Sequence, residues 1–162
     1  MVRLHQETPE DWWEVEALYD LSFAPGREAL SSYRLREGVA PVAGLCLVAR
    51  DEYDAVGGAI RCWPVRVGGR PVLLLGPVAV HPTRQGEGLG ALLIRESLAR
   101  ARALGWHWVL LVGDAPYYRR FGFARAEGVD FPPPTNPDRV LIAALDPDPG
   151  PPPQGAVAPW TG

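Results

Sequence analysis

Apolar residues first recur at helical spacing between Trp12 and Phe23, where Trp12, Val15, Leu18, Tyr19 and Phe23 share a stripe that runs up to Pro25-Gly26. The preceding Thr8-Pro9-Glu10-Asp11 reads as a helix start, with Thr8 as N-cap, Pro9 at the first helical position and acids in the first turn. A weaker pattern predicts a second helix over Glu28 to Arg36, ended by Gly38 and Pro41. Three apolar runs follow: Gly44 to Arg50, Ala55 to Val67 and Pro71 to Val80. The turn-like Asp51-Glu-Tyr-Asp54 and the hairpin pair Gly68-Gly69 separate them, as in a meander of antiparallel strands. A long helix is expected from Leu89 to Leu104, with Leu89, Leu93, Ser97 and Ala101 along one stripe, an i,i+4 pair of Glu96 and Arg100, and Gly105 at its end. Trp106 to Val112 is strand-like again, Ala115 to Phe121 a short helix, and Arg139 to Leu145 a last strand. The proline-rich stretches Asp130 to Asp138 and Asp146 to Pro153 are expected to be irregular, because proline lacks an N–H and fixes its own torsion.

The junction between the Val72–Val80 strand and the long helix carries the most chemical information. There His81-Pro82-Thr83-Arg84-Gln85 leads into glycines at alternate positions, Gly86, Gly88 and Gly90, directly before the helical pattern. Glycines at a helix N-terminus leave backbone N–H groups facing open space with the positive end of the helix dipole behind them, an arrangement suited to a phosphate or pyrophosphate.

Composition narrows what that anion site can belong to. At 162 residues the chain suits a single domain, 1–162, with 146–162 as a proline-rich C-terminal segment. All 16 basic residues are arginine, and a P-loop requires a lysine, so that nucleotide-binding class is excluded. The net charge of −3 and the lack of basic blocks interleaved with aromatics give no support to nucleic-acid binding. No apolar run approaches the ~20 residues of a membrane span, and the N-terminus reads as free of a secretion signal. Cys46 and Cys62 read as reduced core residues of a cytoplasmic protein.

Two known arrangements place a glycine turn between a strand and a helix. Gly86-x-Gly88-x-x-Ala91 satisfies a dinucleotide-binding fingerprint, and Asp114 lies near the acidic position expected downstream. Against it, His81 to Gln85 intervene between strand and glycines, and too few strand–helix units follow. The second arrangement fits the whole order of elements. Val78-Ala-Val80-His-Pro82 followed by Gln85-Gly-Glu-Gly88-Leu-Gly90 resembles the Q/R-x-x-G-x-G/A motif of the GNAT superfamily of acetyl-CoA-dependent N-acetyltransferases. Tyr118-Arg-Arg-Phe-Gly122-Phe123 is similar to that superfamily's tyrosine placed four residues before a Gly-Phe pair. The compressed Val112–Phe123 turn and the closing Gly155-Ala-Val-Ala-Pro-Trp160 resemble its YhbS-like bacterial subgroup.

The resemblance implies an α/β (α+β) fold with a central mixed, mostly antiparallel sheet flanked by helices. It implies acetyl-CoA as co-substrate and a small-molecule or peptide amine as acceptor, in a cytoplasmic protein that is a monomer or homodimer. Val78, Ala79 and Val80 are then expected along the pantetheine arm. Backbone groups of Gln85, Gly86, Glu87, Gly88, Leu89, Gly90 and Ala91 are expected to hold the pyrophosphate, with Arg84 or Gln85 adding a side-chain contact. Tyr118 is the expected proton donor to the departing thiolate, with Tyr117 adjacent. Many relatives carry a glutamate base on a central strand, and Val72–Val80 has no acid. The base is left among His81, whose unperturbed pKa of about 6.5 suits the task, Asp114, and water. Trp63, Arg61, Tyr33 and Phe23 are candidate walls of the acceptor groove.

Overall fold

Near-continuous burial along the central strands gives the sheet a core on each face. A computed structural model describes residues 2–23 and 31–160. Its strands are β1 (Arg3–Gln6), β2 (Leu47–Arg50), β3 (Val56–Val67), β4 (Arg70–Val80), β5 (Trp108–Val112), β6 (Ala124–Arg125), β7 (Val129–Asp130), β8 (Val140–Ala144) and β9 (Gly155–Pro159). They run in the order β1-β2-β3-β4-β5-β8-β6, and β9 pairs with both β3 and β7. Pairing is antiparallel except between β4 and β5 and between β7 and β9. This is the mixed, mostly antiparallel sheet expected. It does not accommodate the parallel strand–helix repeats of a dinucleotide-binding fold.

Helix α3 (Leu89–Ala103) covers one face: Leu89, Leu93, Ile94 and Ala101 pack on Leu47, Ile60, Cys62 and Leu73. Helix α1 (Trp12–Ser22) covers the other, where Val15, Leu18 and Tyr19 meet Val48, Ala59 and Ala79. Glycine permits the close approach of α3 to β3. A Cβ on Gly58 would lie 2.9 Å from Leu93 Cδ1 and 3.3 Å from the Ala79 carbonyl oxygen. Among the described residues no helix is long and apolar enough to cross a membrane.

Local signals place most of these elements. Gly68 and Gly69, at φ +55° and +83°, form the two-residue hairpin joining Val67 to Arg70. Thr8 and Asp11 make a capping box, although its first turn, Pro9–Asp11, is a 3-10 turn and α1 begins at Trp12. The Pro25-Gly26 stop lies outside the described residues, as do residues 28–30 of the second expected helix, of which α2 (Ser31–Arg34) is described. The strand expected over Gly44 to Arg50 begins only at Leu47, because Ala43–Leu45 form a 3-10 turn. The short helix divides into α4 (Ala115–Tyr118) and a 3-10 turn, Arg119–Phe121, ended by Gly122 at φ +90°. Arg139–Leu145 is not the last strand. β9 follows it, held antiparallel to Val65–Val67 on an edge of β3 that β2 leaves free.

Charged side chains tie the peripheral elements to this frame. The Arg50 guanidinium, 8% exposed, donates to Asp11 at 2.7 Å, to Glu14 at 2.9 Å and to the Asp54 carbonyl at 2.6 Å, joining α1 to the end of β2. Burial alone would raise the Asp11 carboxyl, but hydrogen bonds from Arg50 and Thr8 outweigh it and hold the pKa below the ordinary value.

Two outcomes test this packing. Gly58→Ala should cost about 1–3 kcal/mol by crowding Leu93, and Leu93→Ala about 2–5 kcal/mol by leaving a cavity. Urea unfolding of the double variant should show less than the sum, since the two share one contact. For pH, a depressed folded-state pKa means that Asp11 contributes stability above its unfolded value near ~3.9, lost as pH falls through the folded value. Asp11→Asn should therefore be less stable than wild type at neutral pH and lose less stability on acidification.

Candidate functional site

A one-residue irregularity opens the sheet where the site lies. Ile60 pairs with Val78 and Cys62 with Leu75, so β4 spends one residue more than β3 across this interval, a bulge at Gly76-Pro77. Gly76 has φ +123° and Pro77 has no N–H to offer a ladder. Pairing of β4 with β5 is confined to Leu73–Val109 and Leu74–Leu110 and stops just before the bulge. Beyond it the two strands separate.

The alternation of an antiparallel ladder then decides which backbone groups face the gap. The His81 N–H donates to the Gly57 carbonyl at 2.8 Å. Ala79 therefore also turns its backbone to β3, while Val78 and Val80 turn theirs to the open edge. Ala79, grouped with those two in the sequence reading, offers nothing to the gap: its backbone faces β3 and its side chain is buried under α1.

Beyond β4, the chain makes a 3-10 turn, Pro82–Arg84, and then the glycine loop. Gly86 and Gly88 lie at φ +84° and +77°, where other residues are strained, and Gly88 is the N-cap of α3 with no side-chain cap. The first helical bond runs from Leu92 N–H to Gly88 O at 3.0 Å, so the N–H groups of Leu89, Gly90 and Ala91 precede it without an intrahelical partner. The loop borders a cavity of about 480 Å³ that also reaches Val80, Tyr117 and Arg120. The side chains of Leu89 and Ala91 are buried in the core, leaving their amides as what the helix end presents. Arg120, whose guanidinium lies 5.2 Å from the Tyr117 ring centre, is a cation at this cavity that the motif did not single out.

Neighbouring side chains brace the loop. Asp51 accepts the Tyr53 and Ala55 N–H groups at 2.8 and 3.0 Å and is ion-paired with Arg84. The backbone hydrogen bond from Ala55 comes first among the interactions that keep its carboxyl below the ordinary range. Arg84 and Gln85 both border the cavity, where Arg84 Nη2 donates to Asp51 and Gln85 Nε2 to the Val80 carbonyl at 3.0 Å. Glu87 is exposed, 3.5 Å from Arg84.

A second cavity, about 560 Å³, fills the space between the separated strands, from Gly76–Val78 of β4 across to Tyr118. Gly113 makes room for the Tyr118 ring, since a Cβ there would lie 2.4 Å from Tyr118 Cε2. Burial pushes the Tyr118 phenol up to about 12, with Tyr117 adding to the rise. Tyr117 instead borders the glycine-loop cavity, its hydroxyl 3.5 Å from the position of a Cβ on Gly90. The two tyrosines thus serve different cavities. Phe23 and Tyr33 line the Tyr118 cavity, whereas Arg61 and Trp63 line a third, of about 360 Å³, on the far side of Tyr33 and Pro77.

Neither His81 nor Asp114 lines the Tyr118 cavity. His81 Nδ1 accepts the Thr83 N–H at 3.2 Å and caps the 3-10 turn. The ring also borders neither of the two cavities described above. Asp114 caps α4 through its backbone, its carbonyl accepting the Tyr118 N–H at 3.0 Å, and its side chain makes no cap hydrogen bond. Among the described residues no carboxylate lines the Tyr118 cavity. Among the described residues no cluster of His, Cys, Asp and Glu could hold a metal ion.

Comparison with known proteins agrees with this geometry. Residues 43–125 match the family model of the acetyltransferase (GNAT) domain. The uncharacterized N-acetyltransferase YhbS of Escherichia coli K12 is 35% identical over 122 residues, covering 74% of this chain and 72% of that protein. The crystal structure of Escherichia coli YhbS in complex with CoA superposes with a TM-score of 0.84 at 29% identity, covering 98% of this chain and 89% of the other. A GNAT family acetyltransferase from Brucella melitensis, in complex with acetyl-CoA, gives 0.76 at 34% identity, covering 99% and 97%. With its strands parted at the bulge and its glycine loop opening α3, the chain belongs to the GNAT family of N-acetyltransferases, among its YhbS-like members.

Proposed function

We propose that this protein is an acetyl-CoA-dependent N-acetyltransferase acting on a primary amine by direct attack. The observation that carries the reading is the continuity of two backbone surfaces. The open edge at Val78 and Val80 leads into the unpaired amides at the start of α3, so an extended amide-bearing arm ending in a diphosphate could lie along both. Two similar structures, from Escherichia coli and Brucella melitensis, are complexes with CoA and acetyl-CoA.

In this reading the amides from Gln85 to Ala91 hold the diphosphate and Arg120 adds its charge. The Val78 and Val80 backbone pairs with the pantetheine arm as a short extra strand would. Acetyl-CoA supplies the thioester, whose C–S bond breaks as the amine nitrogen forms the new C–N bond. Tyr118 gives its phenolic proton to the departing sulfur and regains one from solvent. Burial keeps that proton in place at neutral pH. The proton lost by the amine passes to water, since among the described residues no carboxylate lines the cavity and neither His81 nor Asp114 borders it. The same lack of an acid favours a second reading, a non-catalytic acyl-CoA-binding module. Thiol release from acetyl-CoA with a panel of amines separates the two: turnover with any amine establishes an enzyme, and acetyl-CoA binding without turnover a binder. The enzyme is expected to act in the cytoplasm as a monomer or homodimer.

Tyr118→Phe should lower turnover at least about tenfold with acetyl-CoA affinity nearly unchanged, and an unaltered rate removes it from the mechanism. With the phenol near 12, its ionisation should leave no falling limb in the rate profile below about pH 11. Gly88→Ala should instead weaken acetyl-CoA binding about tenfold in calorimetry, because a Cβ at φ +77° costs about 1–2 kcal/mol.

A further inference from the structure

Arg36 and Arg61 line the same cavity and are in opposite states. Arg61, on β3, is fully engaged: Nε and Nη2 donate to the two oxygens of Glu7 at 3.0 and 2.9 Å, and Nη1 donates to Glu16 at 2.6 Å. Arg36, just past α2, is 9% exposed and makes no ion pair among the described residues. Its Nη2 donates to the Gly76 carbonyl at 3.0 Å, while Nε and Nη1 are buried without a hydrogen-bond partner. The Tyr33 side chain, with its ring centre at 4.5 Å, and the Trp63 ring centre at 5.8 Å ease its charge. Burial lowers its pKa to about 10, which still leaves it protonated at neutral pH. The adjoining Trp63 indole N–H is a third buried donor without a partner.

A buried cation with idle donors is costly unless an acceptor meets it. Arg36 forms a wall shared by the Tyr118 cavity and the cavity of Arg61 and Trp63. Among the described residues the Tyr118 cavity has a second cation, Arg139, and no carboxylate. The charge of this wall suits an anionic group on a ligand. Arg36 also sits at the bulge, bonded to the residue two before Val78, whereas Tyr118 marks the other wall.

We infer that the acceptor is a small amino carboxylate of amino-acid type, its carboxylate received at the Arg36 guanidinium, with the Trp63 ring beside that group, while its amine points along β4 toward Val78 and Tyr118. This rests on the acetyltransferase reading and adds the substrate class to it. It also assigns Arg36 a role in specificity rather than in chemistry.

The test compares free L-amino acids with their C-terminal amides on the full chain, by two readouts. In thiol release with acetyl-CoA, the preferred free acids should exceed their amides in kcat/KM by at least about tenfold, the scale of one hydrogen bond to a charged group. Arg36→Gln should level that preference, and Arg36→Lys should restore part of it. In ¹H–¹⁵N spectra of the wild-type protein, the Trp63 indole resonance, assigned with Trp63→Phe, should shift with free acids and not with amides. This arm needs no Arg36 variant to fold. Amides used as well as acids, or an indole resonance unmoved by every acid at about 50 mM, beyond any millimolar site, overturns the inference. Calorimetry with CoA keeps the two claims apart. Retained CoA binding with an unmoved indole removes only the Arg36 assignment, whereas loss of CoA binding and of all turnover removes the acetyltransferase reading itself.

Discussion

One surplus residue in β4 governs the site. At Gly76-Pro77 the ladder with β3 slips by one, and pairing with β5 has already stopped at Leu74. A parallel pair that continued would have consumed the N–H and C=O groups of Val78 and Val80 in the sheet. Because it does not, a row of backbone hydrogen-bonding groups survives inside a folded domain, next to a cavity. The bulge is itself kept in place by side chains from the opposite layer. Tyr19 of α1 donates to the Pro77 carbonyl at 3.2 Å, and Arg36 donates to that of Gly76. The opening and the layer over it are therefore parts of one arrangement.

The glycine loop is organised on the same economy. Its glycines supply conformation and bare amides, and the charged residues around it supply rigidity. Asp51 holds the turn between β2 and β3 with one oxygen and reaches Arg84 with the other, so a hairpin far away in sequence braces the entry to α3. Gln85 closes onto Val80. Polar side chains that could have been spent on a ligand are used to keep the amides aimed, and pre-aimed donors lose little on binding an anion.

Arginine, the only basic residue type of this chain, is used in both ways available to it. Arg50 and Arg61 are surrounded by carboxylates and join α1 and the N-terminal segment to the sheet. Arg36 has no counter-ion among the described residues and lies between two cavities. A buried guanidinium matched by carboxylates serves the fold, and the buried one without them is the one proposed above to meet a ligand.

Much of this was legible in the chain itself. α3, the hairpin at Gly68-Gly69 and the glycine loop rest on spacing and torsion within a few residues, and such local constraints are written directly into sequence. The tyrosine and glycine motifs likewise pointed to the right family. Tertiary structure alone decided the rest. β1, with the polar run Arg3-Leu-His-Gln6, and β9, with one buried side chain in Val157, are strands because β2 and β3 offer them free edges. His81, plausible as a base by its chemistry, became a cap because Thr83 N–H reaches its ring, and Ala79 was turned away from the cleft by ladder alternation. Nothing near Arg36 in sequence distinguishes it from Arg61. Which arginine finds carboxylates depends on residues brought together across the fold, and a pattern read along the chain carries no such distances.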